Sequence, residues 1–263
     1  MKRSFIAGAL ALAAISHSYA ADLPPSPPPV RAPAVYVPPA PVYNWSGFYI
    51  GINGGYGFGS SNWTDAANPV VGAGGSTGNF NINGGVVGGT VGANAQFGAG
   101  VFGVEGDIDY STIKGSISPG APNFCSTFIT APAVFGATCN TQNNWLATVR
   151  ARGGVAADRV LFFLTGGLAA GNVEAGLSGG TIGSTTYQSN TEFGWTGGAG
   201  VEVAFTPNWT AKVEYLYVDL SKMTCNTGAS CGFDNAAAPF VTPANNSVKF
   251  TTSLVRLGVN FKF

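Results

Sequence analysis

The feature that most constrains this chain is a period-two alternation that starts at Trp45 and recurs in eight segments. Across 47–59 the even positions hold Phe48, Ile50, Ile52, Tyr56 and Phe58, while the odd ones hold glycines with Tyr49 and Asn53. Successive side chains of a strand point to opposite faces, so this segment reads as a strand with one face in an apolar medium. In 86–97 the apolar face is Val87, Val91, Ala93 and Phe97, against Thr90, Asn94 and Gln96. In 101–112 Phe102, Val104, Ile108 and Tyr110 oppose Glu105, Asp107, Asp109 and Ser111; in 145–156 Trp145, Val149 and Val155 oppose Thr148, Arg150 and Arg152. Segment 160–171 is less clean, with Phe162, Leu164 and Leu168 against Phe163 and Thr165. Phe193, Trp195, Val201 and Val203 then oppose Thr196 and Glu202, and Trp209, Val213, Tyr215 and Tyr217 oppose Lys212 and Glu214. The last segment sets Val255, Leu257, Val259, Phe261 and Phe263 against Arg256, Asn260 and Lys262.

Each segment supplies the ~9–11 residues that a tilted strand needs to cross a bilayer. The connections alternate in length: 97–100, 156–159 and 205–208 are tight, while 60–80, 115–143, 171–191 and 221–247 are long and rich in Gly, Ser, Thr and Asn. An even strand number with short turns on one side and long loops on the other is the layout of an all-β, antiparallel, up-and-down outer-membrane barrel. A soluble β-sandwich also offers alternating strands, but it predicts no alternation of loop length. No apolar run reaches the ~18 residues of a membrane helix, so a membrane-spanning form of this chain has to close its sheet. Trp45, Trp145, Trp195, Trp209, Tyr110, Tyr215 and Tyr217 suit interfacial girdles, where a ring is half apolar and half hydrated.

Composition agrees. Lys+Arg and Asp+Glu number 12 each, and charged residues make up only 9%, against about 25% in an average soluble domain. Such a chain has no electrostatic footprint for nucleic acid and too few charges to cover the surface of an ordinary globule. Most of the strand charges fall on the face opposite the apolar one. Glu105, Asp107, Asp109, Glu202 and Glu214 are matched by Arg150, Arg152, Lys212, Arg256 and Lys262, five against five. An eight-stranded barrel is narrow and filled by side chains, so these ten are expected to form a paired network in the lumen, since an unpaired buried charge is costly. Acid–base catalysis or a metal site is the rival reading of the carboxylates, disfavoured by the equal number of bases on neighbouring strands. Inward glycines such as Gly51 and Gly88 would leave room for the long side chains.

The N-terminus reads as a targeting segment. Lys2-Arg3 precede an apolar stretch, Phe5–Ile15, and Ser18-Tyr19-Ala20 gives a small-x-small cleavage signature after Ala20. Residues 1–20 are therefore expected to be a signal peptide, 21–44 a proline-rich spacer in extended polyproline II form, and 45–263 the barrel. Cleavage removes His17, the one histidine. The mature chain then lacks the base used by serine-hydrolase and His–Asp mechanisms. Gly98–Gly103 matches GxGxxG, but its glycines sit in a turn between strands rather than at a strand-to-helix junction, so it does not indicate a dinucleotide site. No enzyme activity, cofactor or metal is expected. Export puts the cysteines in an oxidising compartment. Three pairings are open; loop closure favours Cys125–Cys139 and Cys225–Cys231, and their spacing with no histidine argues against zinc.

Three motifs carry a family resemblance. Trp45-Ser46-Gly47-Phe48-Tyr49-Ile50-Gly51, Lys212-Val213-Glu214-Tyr215-Leu216-Tyr217-Val218-Asp219-Leu220 and Val255–Phe263 resemble the RopB-type small outer-membrane proteins of alphaproteobacteria, distant relatives of the OmpA-like barrel. The resemblance covers the signal and about 45–263, without the cysteine-containing loops. It implies an abundant surface barrel that supports envelope integrity; the chain itself reads as a monomer in contact with outer-membrane lipid and lipopolysaccharide. Members are also associated with haem or host contact. Val255, Leu257, Val259, Phe261 and Phe263 look like the signal read by the barrel-assembly machinery. The start Ala21-Asp22 is similar to mature N-termini that are joined to peptidoglycan. Rival functions are a small ion-permeable pore and a ligand-binding surface protein acting through 115–143 and 221–247.

Overall fold

A backbone amide in hydrocarbon has no water to bond, so half-apolar strands can coexist there only if each has a neighbour on both sides. The computed structural model describes residues 43–64, 76–118, 138–178, 186–225 and 246–263. It contains eight strands: β1 (Gly47–Thr64), β2 (Phe80–Phe97), β3 (Gly100–Ile117), β4 (Thr138–Ala157), β5 (Val160–Ser178), β6 (Thr186–Ala204), β7 (Trp209–Cys225) and β8 (Asn246–Lys262). They pair antiparallel in chain order, and β1 returns to pair with β8, so the sheet is a closed barrel. The closure excludes the sandwich. Register slips occur at three places, between Tyr110 and Ile113, Gln142 and Leu146, and Leu220 and Met223.

The three short connections form one rim. Gly98 (φ 61°) turns β2 into β3, and Asp158 (φ 51°) turns β4 into β5. Asp158 is a non-glycine residue in the left-handed region, and both its side chain and its carbonyl have a use there. Its Oδ1 accepts from the Tyr43 amide (3.1 Å) and its carbonyl from the Trp45 indole (3.1 Å).

The strands run 17 to 20 residues, so much of what the sequence assigns to long loops is strand. The reason lies in a reversal of polarity. In the rim-side half, the outward face carries Phe48, Ile52, Val91, Phe102, Ile108, Leu164, Leu168, Phe193, Val213 and Leu257, all exposed. In the loop-side half the apolar residues turn inward. Trp63, Phe80, Ile82, Ile113, Leu146, Val173, Leu216, Val218, Leu220, Val248, Phe250 and Leu254 form one buried cluster. Their neighbours Ser60, Asn62, Asn81, Thr112, Lys114, Lys249, Thr251 and Ser253 take the outer face. The change occurs near Tyr56, Tyr110, Trp195, Tyr215 and Tyr217, the level of the upper aromatic girdle. Below it the wall suits acyl chains; above it the barrel is an ordinary β structure with an apolar core and a polar coat.

Trp45 departs from expectation. It is buried at 2% exposure, not placed in a girdle, and with Tyr43, Val101, Leu161, Phe163 and Ala204 it fills the rim end of the lumen. Residues 43–46 turn under the barrel before β1 starts, so this ring points inward rather than at lipid. The proposed signal and all but the last two residues of the proline-rich spacer lie outside the described residues.

The upper core makes a direct prediction. Leu216→Ala should lower unfolding stability by about 3 kcal/mol, whereas Ser189→Ala on the outer face of β6 should change it by less than about 0.5 kcal/mol. Denaturant titration of the detergent-solubilised barrel, read by gel mobility of unheated samples, checks both.

Candidate functional site

Between the two apolar clusters the lumen is charged, and strand register assembles the charges. Glu105 lies opposite Arg150 across β3–β4, Glu202 opposite Lys212 across β6–β7, and Glu214 opposite Arg256 across β7–β8. All point inward, and all are buried. Arg150 bonds Glu105 (2.6 Å), Asp107 (2.8 Å) and Glu214 (3.0 Å). Arg256 bonds Glu214 (2.7 Å), Asp107 (2.8 Å) and Asp109. Lys212 reaches Glu105 (2.7 Å) and Glu214 (3.5 Å). Arg152 bonds Glu202 (2.7 Å) and Glu105 (3.4 Å) and stacks over the Phe163 ring at 4.1 Å.

Neutral groups complete the layer. Tyr49 donates to Glu105 (2.7 Å) and accepts from Arg152 (3.0 Å). Its ring fits because position 92 is glycine: a Cβ there would sit 2.3 Å from the ring. Thr148 donates to Asp107 (2.7 Å), while Thr210 and Asn260 (2.9 Å) donate to Glu202. Sequence reading placed Tyr49 on the inward face of β1 but gave it no role. Its spacing from Glu105 and Arg152 becomes visible only once three strands are in register.

Lys262 is a correction. Its ammonium makes no direct ion pair in the network, although Glu202 acts on it electrostatically; it donates to the Asn44 carbonyl and lies 4.2 Å over the Tyr43 ring. The inward side of β8 runs out at the rim, so the long stem reaches the segment that folds under the barrel. Nearby, burial and then the Glu202 carboxylate raise the Tyr43 phenol above its ordinary pKa.

The remaining sequence candidates are elsewhere. Val255, Leu257, Val259, Phe261 and Phe263 form the outward stripe of β8. Phe261 packs edge-on against both Trp209 (5.1 Å) and Phe263 (5.3 Å). Cys139 is disulfide-bonded and buried in β4. Cys225 ends β7, whereas Cys125, Cys231, Ala21 and Asp22 lie outside the described residues. Among the described residues, no group of three or more His, Cys, Asp and Glu is placed to hold a metal ion. Depressions of about 780 and 730 Å³ lie along the wall and are lined chiefly by outward residues such as Val155, Leu164, Ile52 and Leu257.

A closed sheet with a lipid-facing wall and an interior packed with paired charges and apolar side chains defines an integral outer-membrane β-barrel protein. The comparisons carry this to a family. The model for the outer membrane protein beta-barrel domain matches residues 30–262. A 31 kDa outer-membrane immunogenic protein of Brucella melitensis is 36% identical, covering 100% of both chains. A 22 kDa outer membrane protein of Rhizobium leguminosarum is 31% identical over 86% of this chain and 82% of its own. The solved Neisserial surface protein A covers 83% of this chain and 98% of its own, at 17% identity and a TM-score of 0.36, too loose a superposition to add to the pairing above. The chain belongs to the outer membrane protein β-barrel domain family, among the small outer-membrane proteins of alphaproteobacteria, and it resides in the outer membrane.

Removing one partner from a buried network leaves the others uncompensated. Arg256→Met should therefore cost about 3–5 kcal/mol. Lys249→Met breaks a partly exposed 3.4 Å pair with Asp219 and should cost less than about 1 kcal/mol. The temperature at which the folded gel band is lost ranks the two variants.

Proposed function

We propose that this protein is a non-conducting, non-enzymatic structural barrel that stabilises the outer membrane and is joined to peptidoglycan through Ala21. The observation that carries the reading is the filled interior: an aromatic cluster at the rim, a charged layer above it, then an apolar core. A solvated pore would need a continuous polar path, and the buried Leu216, Val218, Phe250 and Leu254 are poor lining for one. Each of the five buried carboxylates meets at least one arginine or lysine, an arrangement suited to holding strands together. The partners in this reading are outer-membrane lipid and lipopolysaccharide around the wall, and the assembly machinery at the β8 stripe ending in Phe263. The protein acts as a monomer, with Cys125–Cys139 and Cys225–Cys231 stapling its loops.

A second reading draws on the word immunogenic in the name of the Brucella relative: the segments 115–143 and 221–247 present a binding surface, as an adhesin or haem binder. One experiment separates the readings. A deletion strain should become sensitive to detergent, and a variant with both loops shortened should restore resistance. Assembly of that variant without restored resistance favours the surface reading. Planar-bilayer recordings of the pure protein should show no steady conductance, and a steady open level overturns the structural reading. Mass spectrometry of cell-wall digests should find Ala21 linked to a muropeptide; a free Ala21 amine alone removes the tether.

A further inference from the structure

The charged layer does not balance. Among the described residues it buries five carboxylates, Glu105, Asp107, Asp109, Glu202 and Glu214, against four cations, Arg150, Arg152, Lys212 and Arg256. The sequence's fifth base, Lys262, has gone to the rim. Lys262 reaches Glu202 only through the electrostatic field, and a net negative charge in a low-dielectric interior is strongly unfavourable, so the layer favours one more positive charge.

Its position can be located. Glu105 and Glu214 each meet three cations and Asp107 two. Glu202 has Arg152 with two neutral donors. Asp109 has Arg256 alone, on Oδ2, and Arg256 is shared with Asp107 and Glu214. The other oxygen, Oδ1, is fully buried and unpartnered. It rests on the bare backbone of Gly88, where a Cβ would come within 2.1 Å. Gly88 pairs with Asn53 of β1, whose side-chain amide NH2 faces the Asp109 carboxyl. Asn53 donates to Thr90 (3.2 Å), and its own Oδ1 is also buried without a partner. The carboxyl with the least compensation in the layer, sharing its one cation with two other acids, thus carries a fully buried oxygen with no hydrogen-bond partner. The groups around Asp109 are Asn53 on β1, Gly88 on β2, Asp107 on β3 and Arg256 on β8, with Thr90 of β2 bonded to Asn53.

We propose that the lumen binds one monovalent cation, a hydrogen ion or a sodium ion, on Asp109 Oδ1. Either ion makes the layer neutral and gives Asp109 Oδ1 a partner. The site completes the interior rather than opening a path through it.

The test uses the full chain extracted in detergent. Unfolding temperature is measured in sodium chloride and in tetramethylammonium chloride at equal ionic strength, and infrared spectra at neutral pH are searched for the carbonyl stretch of an uncharged carboxyl. Wild type should show either the infrared band, which identifies the hydrogen ion, or a higher unfolding temperature in sodium, which identifies the metal ion. Asp109→Asn should abolish whichever signal is seen and should unfold no earlier than wild type. Asn53→Ala, which removes the amide beside the carboxyl, should shift the same signal if Asp109→Asn does not assemble. Wild type showing neither signal, or a signal unchanged in both variants, overturns the proposal.

Discussion

The structure depends on the demand that every backbone amide within hydrocarbon be paired inside the protein. A sheet of half-apolar strands meets it only by joining its first strand to its last, which the β1–β8 ladder does. Closure then divides the side chains into an inner and an outer set. The outer set of the rim-side half faces acyl chains, where exposed Phe48, Ile52 and Leu168 are in a favourable medium. In water the same band would be a large exposed apolar patch of the kind that marks interaction or aggregation sites.

With eight strands the inner set has little room, and its contents are layered. Aromatic rings close the rim end, ion pairs occupy the middle and aliphatic side chains fill the loop end. The charged layer is expensive to desolvate, and it is held by multiple bonding: Arg150 and Arg256 each meet three carboxylates. In a barrel whose outside must be apolar, the middle of the lumen is where polar contacts can fix register between strands far apart in sequence. The arginines of β4 and β8 both bond acids of β3 and of β7, tying opposite walls together.

Much of this was legible in the sequence. Strand number, pairing order, the turn side and the inward direction of the acids and bases all follow from period-two alternation and loop length. The strand ends did not, because alternation continues past the membrane with its phase reversed. In β8 the apolar positions are 248, 250 and 254 and then shift to 255, 257 and 259. A reader seeking one continuous apolar face stops at that shift and assigns the rest to loop. The shift is itself the signal, since it marks the strand leaving lipid for water. Lys262 was misplaced for a related reason: alternation gives the face of a residue but not its height. Trp45 has an ambiguous pattern because it precedes the first strand, and its burial depends on the Asp158 turn about a hundred residues away. The mutual distances within the charged layer depend on register across six strands and are invisible in one dimension.

The segment tucked beneath the barrel has a mechanical consequence. Tyr43 and Trp45 are bonded to the β4–β5 turn through Asp158, Trp45 to Gln96 of β2, and Asn44 to Lys262 of β8. Tension arriving along the chain from its N-terminal side is shared among strands spread around the circumference before it reaches β1. Hydrogen-bond ladders resist sliding together far better than unzipping one rung at a time. Fastened in this way, the first strand is loaded in shear instead of being peeled from the last.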